Sequence, residues 1–146
     1  MNQTVQLALH SVGLAEHPDR AMGKPRSPHW STFEKHLVAE RKVCAATGLK
    51  IKLQGHHIIP FSYDSSKELD PKNVIILTAL ADGFGDFNAH LLLGHKGSFK
   101  LFNPRVEQDA ADFLAWIRRR YATIQDAVAA GELPKLFASD NPVKIR

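Results

Sequence analysis

The stretch that decides the fold of this chain is LKIKLQGHHIIP, residues 49–60. Apolar and polar residues alternate over residues 49–54, and this period of two is typical of a strand with one buried face. We therefore predict a strand that delivers the chain to the adjacent histidines His56 and His57. Successive side chains of an extended segment point to opposite sides, so the two imidazoles are expected to face different surroundings.

The residues after this stretch predict a second strand and a short helix. Residues 62–71 are polar and predict a loop, whereas NVIIL, residues 73–77, is rich in β-branched side chains and predicts an antiparallel partner strand. A turn is expected over residues 82–86. A short helix is expected over residues 88–93, interrupted at Gly94. The middle of the chain is thus predicted to run strand, strand, helix.

Longer helices are predicted on both sides of this unit. Ser31 and Glu34 have the spacing of a capping box, which predicts a helix that starts there and ends near residues 47–48. A second helix is predicted with Asn103 as its N-cap and Pro104 as its first residue. The apolar face of this second helix is predicted to consist of Val106, Ala110, Phe113, Leu114 and Ile117.

The length of the chain and the positions of its Gly and Pro residues indicate one domain with terminal extensions. A chain of 146 residues suits one domain with a modest core. Repeated Gly and Pro predict an irregular N-terminal arm over residues 1–28, and the folded domain is expected over residues 29–121. Residues 122–146 are expected to form a helical extension and a tail. The predicted fold class is α+β, with the two strands and the short helix flanked by the longer helices.

Composition limits the classes of partner and of metal site. The net charge of +4 is compatible with a phosphate-rich partner such as nucleic acid. No apolar run approaches the roughly 20 residues of a membrane span, and the N-terminus lacks signal-peptide features, so we expect a cytoplasmic protein with no membrane partner. Because Cys44 is the single cysteine, any metal must be bound through histidine and oxygen ligands.

Five polar residues at the ends of the predicted elements suit phosphodiester chemistry. Neutral imidazoles bind divalent metals, and three of them, His56, His90 and His95, can hold one ion and leave positions open for water or phosphate. Such an ion stabilises negative charge on the phosphate and on the departing oxygen. Of the adjacent pair, His56 and His57, one histidine can face the metal while the other accepts a proton from the attacking water. Asn73 is a candidate for holding the loop or the ring.

These residues lie in stretches that resemble the HNH endonucleases of phages and bacteria. The resemblance covers roughly residues 26 to 117, and a chained motif of this kind is more specific than any of its parts. It is carried by HHIIPF (56–61), LDPKNVIIL (69–77) and NAHLLLGHKGSFKLFNP (88–104), with the flanks RSPHWSTFEKHLVAERKVCAATG (26–48) and VEQDAADFLAWI (106–117).

The resemblance implies a fold, a reaction and a role for each residue. The implied fold is the ββα-metal or His-Me finger, which binds one divalent ion (Mg²⁺, Mn²⁺, Ni²⁺ or Zn²⁺) and hydrolyses DNA to 5′-phosphate and 3′-hydroxyl ends. By position, His57 resembles the general base, Asn73 the central asparagine that positions it, and His56 the first metal ligand. His90 resembles the last histidine of the motif, a metal ligand at the helix. His95 resembles an additional ligand found in three-histidine members such as the colicin DNases.

The sequence departs from the family pattern at two places. Many members bind a structural zinc through paired cysteines, whereas this chain keeps Cys44 and has Thr47 and Ala89 where cysteines are frequent. We therefore predict no structural zinc and interpret Cys44 as a small buried side chain. The second departure is the gap from His90 to His95, which is one residue longer than in the colicin-like form.

The predicted partner is DNA, bound mainly through its phosphates. Lys96, Lys100 and Arg105 follow the last histidine closely and are predicted to contact the DNA backbone. No element that could read bases is evident, so we expect the chain itself to have low sequence specificity. Further specificity is then expected to come from a homodimer or a protein partner. Two alternatives stay open: a catalytically silent, metal-stapled nucleic-acid-binding module, and an RNA-cleaving nuclease or toxin. A structural metal site has no use for an adjacent base, so His57 favours the enzyme.

Overall fold

The computed structural model describes residues 25–79, 88–130 and 143–144. Two short 3₁₀ turns, Ser65–Lys67 and Pro71–Asn73, lie between the first two strands. The other elements are α1 (Trp30–Arg41), β1 (Leu53–His57), β2 (Val74–Thr78), a π-helical turn (His90–Gly94), β3 (Leu101–Phe102), α2 (Val106–Arg120), α3 (Ile124–Ala129) and β4 (Val143–Lys144).

The fold is of mixed α+β class, and the described residues form two small antiparallel sheets. β1 pairs with β2 in a register that runs from Leu53 opposite Thr78 to His57 opposite Val74. β3 pairs with β4 in the same antiparallel sense. The predicted antiparallel pairing of the two central strands is therefore confirmed. Every residue of β2 is buried, which explains why its sequence is apolar without alternation.

β2 lies between two hydrophobic layers because its side chains alternate between the faces of the sheet. Val74 and Ile76 pack with Leu37 of α1. Ile75 and Leu77 face the larger core, which includes the buried side of α2. That side of α2 matches the prediction, with Leu114 half-buried and the other four predicted positions fully buried: Val106, Ala110, Phe113 and Ile117.

The predicted bounds of the first strand are wrong. Lys52 has a left-handed backbone with φ of 50°, so the extended conformation starts only at Leu53. Before it, the chain turns back on itself, since the N–H of Cys44 donates to the carbonyl of Leu49 at 2.8 Å. The strand instead continues through both histidines. His56 and His57 therefore lie inside β1 and share its register.

The predicted start of α1 needs correction as well. The helix begins at Trp30, with N-cap His29, whose side chain makes no capping hydrogen bond. The capping box predicted at Ser31 is not formed. Its acidic partner, Glu34, accepts a hydrogen bond from the N–H of Gly55 at 2.8 Å and so fixes α1 to β1. A long-range contact has replaced the local one.

The end of α1 falls before the predicted residues 47–48. Lys42 adopts a left-handed backbone with φ of 72°, and its N–H closes the helix on the carbonyl of Val38. The following turn packs against the edge of β2, where the N–H of Ala45 donates to Ile76 at 2.9 Å. Cys44 in this turn is fully buried, as predicted.

The short helix predicted over residues 88–93 is displaced and wound differently. Asn88 caps it, since its Oδ1 accepts the N–H of Leu91 at 2.9 Å. The helical residues are His90–Gly94, and they form a π-helical turn rather than an α-helix. Gly94 therefore belongs to the turn instead of interrupting it.

α2 begins two residues after the predicted start at Pro104. Asn103 lies before the helix and makes side-chain hydrogen bonds to residues at the start of it. Its side chain accepts the N–H of Arg105 at 3.0 Å, and donates to Leu93 at 3.0 Å and to Asp109 at 2.7 Å. Asn103 thus joins α2 to the π-helical turn rather than capping α2 directly.

The terminal predictions are covered only in part. Of the predicted arm, residues 25–28 are described, and the predicted turn over 82–86 lies outside the described residues. The expected helical extension is present as α3, whereas the tail beyond it is described only at β4. Across the described ranges, no helix is long and apolar enough to cross a membrane.

Asn73 joins the segment after β1 to the turn before β2. Its Oδ1 accepts the N–H of Ile59 at 2.8 Å, and its Nδ2 donates to the carbonyls of Ile59 and Lys67 at 3.0 and 3.2 Å. Its own carbonyl accepts the N–H of Ile58 at 2.8 Å. Asn73 is itself buried, and the backbone groups of Ile59 depend on its amide side chain for their hydrogen bonds.

Replacement of Asn73 by alanine is expected to lower the free energy of unfolding by about 3 kcal/mol, because buried backbone groups lose their partners. Urea denaturation followed by circular dichroism measures this change. Asn88→Ala is the matched control, since it removes only a cap of about 1 kcal/mol. An equal loss in the two variants would contradict the role given to Asn73.

Candidate metal centre and cleft

Three histidines meet where β1 packs against the π-helical turn. His56 comes from β1, His90 opens the turn, and His95 follows its end. One ring nitrogen from each lies within 4.8 Å of the others, so the three are close enough to bind a metal ion. The ring centroids are 4.8 to 5.0 Å apart. The sequence prediction that these three side chains converge is confirmed.

The π-helical turn explains how His90 and His95 reach the same side. Hydrogen bonds of this helix type close between residues five apart, whereas those of an α-helix close between residues four apart. The wider turn places His95, which follows its last residue, beside His90, which begins it. Backbone bonds to the carbonyl of Leu91, from His95 at 3.2 Å and from Gly97 at 2.9 Å, close the end of the turn.

In His90 and His95, a hydrogen bond at Nδ1 leaves Nε2 available to a ligand. Nδ1 of His90 lies 3.0 Å from Oε1 of Gln54, and Nδ1 of His95 lies 2.7 Å from the carbonyl of Leu101. Because both partners are acceptors, each Nδ1 carries the proton and each Nε2 keeps its lone pair. This outer support is typical of histidines that bind metals.

An unpaired buried nitrogen of His56 indicates a binding site for a ligand. The residue is only 3% exposed, and its buried Nε2 has no hydrogen-bond partner among the described residues. Buried polar atoms in folded proteins are nearly always paired. A metal ion shared with the Nε2 atoms of His90 and His95 would satisfy it. The donor set of three imidazoles fits a divalent transition metal such as Zn²⁺ or Ni²⁺.

The environment keeps these imidazoles neutral, which is the form that binds metals. Burial, followed by the neighbouring His90 and His95, holds the pKa of His56 well below its usual value. Burial also lowers the pKa of His90 to about 4, with His95 and His57 adding to the effect. Burial lowers the pKa of His95, which its hydrogen bond to Leu101 partly opposes.

Gly94 makes room for the ring of His56. A Cβ atom at this position would lie 2.8 Å from Cε1 and 2.9 Å from Nδ1 of that imidazole, closer than side chains pack. The glycine is therefore needed for close approach between the π-helical turn and β1.

Gly94→Ala is expected to displace the His56 imidazole and to weaken Zn²⁺ binding at least about tenfold. Isothermal titration calorimetry with Zn²⁺ measures the affinity, and His90→Ala, which deletes a ligand, sets the scale for a damaged site. Urea denaturation in chelator checks that the variant still folds. Wild-type zinc affinity in folded Gly94→Ala would remove His56 from the ligand set.

Gln54 supports the metal centre from one side. Gln54→Ala removes the acceptor that orients His90 and is expected to weaken Zn²⁺ binding about tenfold, whereas Gln54→Glu keeps an acceptor and is expected to retain it. Gln108→Ala, which changes an exposed glutamine on α2, is the matched control in the same titration. Loss of affinity in both glutamine-to-alanine variants would mean that the effect is not local.

His57 lies beside the metal centre but is held separately. Its Nε2 is 2.9 Å from the backbone carbonyl of Glu68, so this nitrogen donates and Nδ1 is left as the acceptor. The ring packs on Trp30 of α1, with centroids 4.4 Å apart. Burial lowers the pKa of His57, while the hydrogen bond to Glu68 opposes that shift. A neutral, oriented imidazole of this kind can accept a proton at neutral pH.

The three-histidine cluster and His57 line the same cleft, which has a volume of about 470 Å³. Its walls carry the cation Arg26 and the aromatic rings of Trp30, Phe61 and Phe99. The guanidinium of Arg26 lies over the Phe61 ring, 4.7 Å from its centroid. The histidines that line the cleft are His56, His57, His90 and His95.

The remaining predicted site residues lie elsewhere. Asn73 bonds to backbone groups, so it holds the loop and not the ring of His57. The Lys96 side chain is only 8% exposed and its Nζ lies 3.5 Å from Asp109. Lys100 and Arg105 are exposed, outside the described residues that line the cleft. Contact of these three cations with DNA stays a prediction, and for Lys96 it competes with an ion pair.

Several residues of the site were not predicted. Gln54 lies two positions before His56 in the same strand, so the alternation of side chains would have placed it on the same face. Trp30 was not among the predicted site residues, yet it packs on the ring of His57. Arg26 and Phe99 are brought to the cleft by tertiary packing, for which no spacing in the sequence is a signal.

The chain matches no protein-family model, no curated protein and no solved structure in the comparisons made.

Proposed function

We propose that this protein is a metal-dependent endonuclease that hydrolyses phosphodiester bonds of DNA. In this proposal β1, β2 and the π-helical turn form a ββα-metal core of the HNH type. One observation carries it: three convergent imidazoles and a fourth, separately oriented imidazole share a single cleft. A nuclease of this kind needs a metal site and a base side by side.

The different roles proposed for His56 and His57 follow from their positions on opposite faces of β1. His56 pairs with Ile75 and shares its face, toward the π-helical turn, whereas His57 pairs with Val74 and shares the face toward α1. His56 is thus available to the metal centre. His57 lies on the opposite face of β1 from His90 and His95 and is not part of the three-histidine cluster.

The residues would act as follows. When bound by His56, His90 and His95, a divalent ion supplies Lewis-acid stabilisation of charge on the phosphate and on the departing oxygen. Nδ1 of His57 takes a proton from water as its oxygen attacks phosphorus. The P–O3′ bond breaks, and the electron pair leaves with O3′, which takes a proton from solvent. The products are a 5′-phosphate and a 3′-hydroxyl. The carbonyl of Glu68 holds the imidazole in place and stabilises the imidazolium that forms.

Charge around the cleft supports a polyanionic substrate. Arg26 lines the cleft, and Lys100 is exposed on the segment that follows the last ligand. Contacts of this kind read the phosphate backbone and carry little sequence information. The proposed enzyme therefore binds DNA with low intrinsic sequence specificity.

The decisive experiment is a nicking assay on supercoiled plasmid with Mg²⁺, Mn²⁺, Ni²⁺, Zn²⁺ or chelator. Wild-type protein is expected to nick the plasmid only with metal. His57→Ala is expected to lose about a thousandfold in rate, because general-base catalysis contributes on this scale. His36→Ala is the matched control, since that histidine lies on α1 with its side chain 73% exposed.

Zinc titration of the same proteins separates the alternatives. His57→Ala is expected to keep wild-type affinity, whereas His90→Ala loses at least about tenfold. Tight zinc binding without cleavage of plasmid or RNA under any ion would point to a silent, metal-stapled binding module. Cleavage of RNA in preference to DNA would move the substrate class and keep the roles of the histidines.

A further inference from the structure

Phe99 is the one large hydrophobic side chain among the described residues that is both strongly exposed and part of the cleft. It is 61% exposed, more than the other two exposed large hydrophobic residues, Ile51 at 36% and Leu69 at 38%. Neither of those two lines the cleft. An isolated exposed apolar residue needs no explanation, but an exposed aromatic ring within a polar site does.

The ring is held in place against the metal centre. Its centroid lies 4.8 Å from that of His95 and 6.0 Å from that of His90. The ring is nearly perpendicular to His90, at 81°, and tilted by 58° to His95. These contacts use only part of the ring, and the exposed remainder is open to a ligand in the cleft.

The surroundings of Phe99 match the chemistry of single-stranded nucleic acid. Proteins that bind such strands combine cations that follow the phosphates with aromatic rings on which bases stack. Lys100 is exposed beside Phe99 in the chain, and Arg26 lines the same cleft. Because the ring touches the imidazoles of the metal centre, the base it meets belongs to a nucleotide next to the phosphate bound there.

We propose that Phe99 stacks on an unpaired nucleobase beside the scissile phosphate, so that single-stranded or locally unpaired DNA is the preferred substrate. This inference rests on the proposed function and deepens it. In a paired duplex, both faces of each internal base are covered by neighbouring bases. The face of Phe99 can reach a base only where pairing and stacking are interrupted, and such an interruption costs least in a strand that is already single.

The test measures binding without cleavage. Zinc-loaded His57→Ala protein, which keeps the metal centre, is titrated at fixed salt against a fluorescent single strand and against its duplex, with anisotropy as the readout. The single strand is expected to bind more tightly. Adding Phe99→Ala is expected to weaken single-strand binding about tenfold and to change duplex binding less than about twofold, while Phe99→Trp retains binding. Ile51→Ala, an exposed hydrophobic residue outside the cleft, is the matched control.

A strand that lacks its bases identifies the contact itself. If Phe99 stacks on a base, a fully abasic strand of the same length binds proteins with and without Phe99→Ala equally. A tenfold effect of Phe99→Ala that persists on the abasic strand would overturn the proposal. So would equal losses on single strand and duplex, which would indicate a wedge in duplex DNA. Reduced zinc affinity in Phe99→Ala with a uniform loss on all strands would assign the ring to shielding the metal centre.

The outcomes also separate this inference from the proposed function. If the wild type cleaves no substrate but single-strand binding still depends on Phe99 and on bases, the endonuclease proposal fails and the base contact stands. If plasmid nicking requires metal and His57 but Phe99→Ala leaves strand binding unchanged, the endonuclease proposal stands and this inference fails.

Discussion

The candidate site depends on the antiparallel pairing of β1 with β2. Its register sets His56 opposite Ile75 and His57 opposite Val74, and cross-strand partners share a face of the sheet. Two residues adjacent in the sequence therefore reach different environments, one beside the π-helical turn and one beside α1. A slip of one residue would exchange these faces and place His57 instead of His56 beside His90 and His95. The full burial of β2 makes such a slip costly, because the register is fixed by both hydrophobic layers.

Main-chain carbonyls provide much of the support around the histidines. Glu68 holds His57 and Leu101 holds His95 through backbone oxygens, so the geometry depends on the path of two loops more than on the identity of their side chains. Those loops are fixed in turn by two asparagines. Asn73 connects the loop after β1 to the turn before β2, and Asn103 connects the π-helical turn to α2. Each asparagine satisfies buried backbone groups that have no place in a regular ladder.

The sequence was sufficient where local pattern and tertiary packing agree. A continuous apolar run predicted β2, a helical stripe predicted α2, and histidines at element ends predicted the cluster of His56, His90 and His95. It was insufficient where distant contacts override local preference. Glu34 accepts a hydrogen bond from Gly55 of β1 instead of forming a capping box. Lys52 lies within the alternating pattern but adopts a left-handed backbone, so the strand begins after it. The sequence also did not anticipate the ion pair between Asp109 of α2 and Lys96, whose contact with DNA stays a prediction. No spacing rule anticipates contacts that depend on the packing of separate elements.

Under the proposed function, the electrostatics of the cleft would link metal binding to substrate binding. Burial keeps the ligand imidazoles neutral, so they bring no positive charge of their own to a phosphate. Arg26 is the cation that lines the cleft among the described residues, and its guanidinium already rests on the Phe61 ring. A bound divalent ion would therefore be the largest local charge, as is common in metal sites. Under the proposed function, the neutral histidines would hold the ion, and the ion would attract the phosphate.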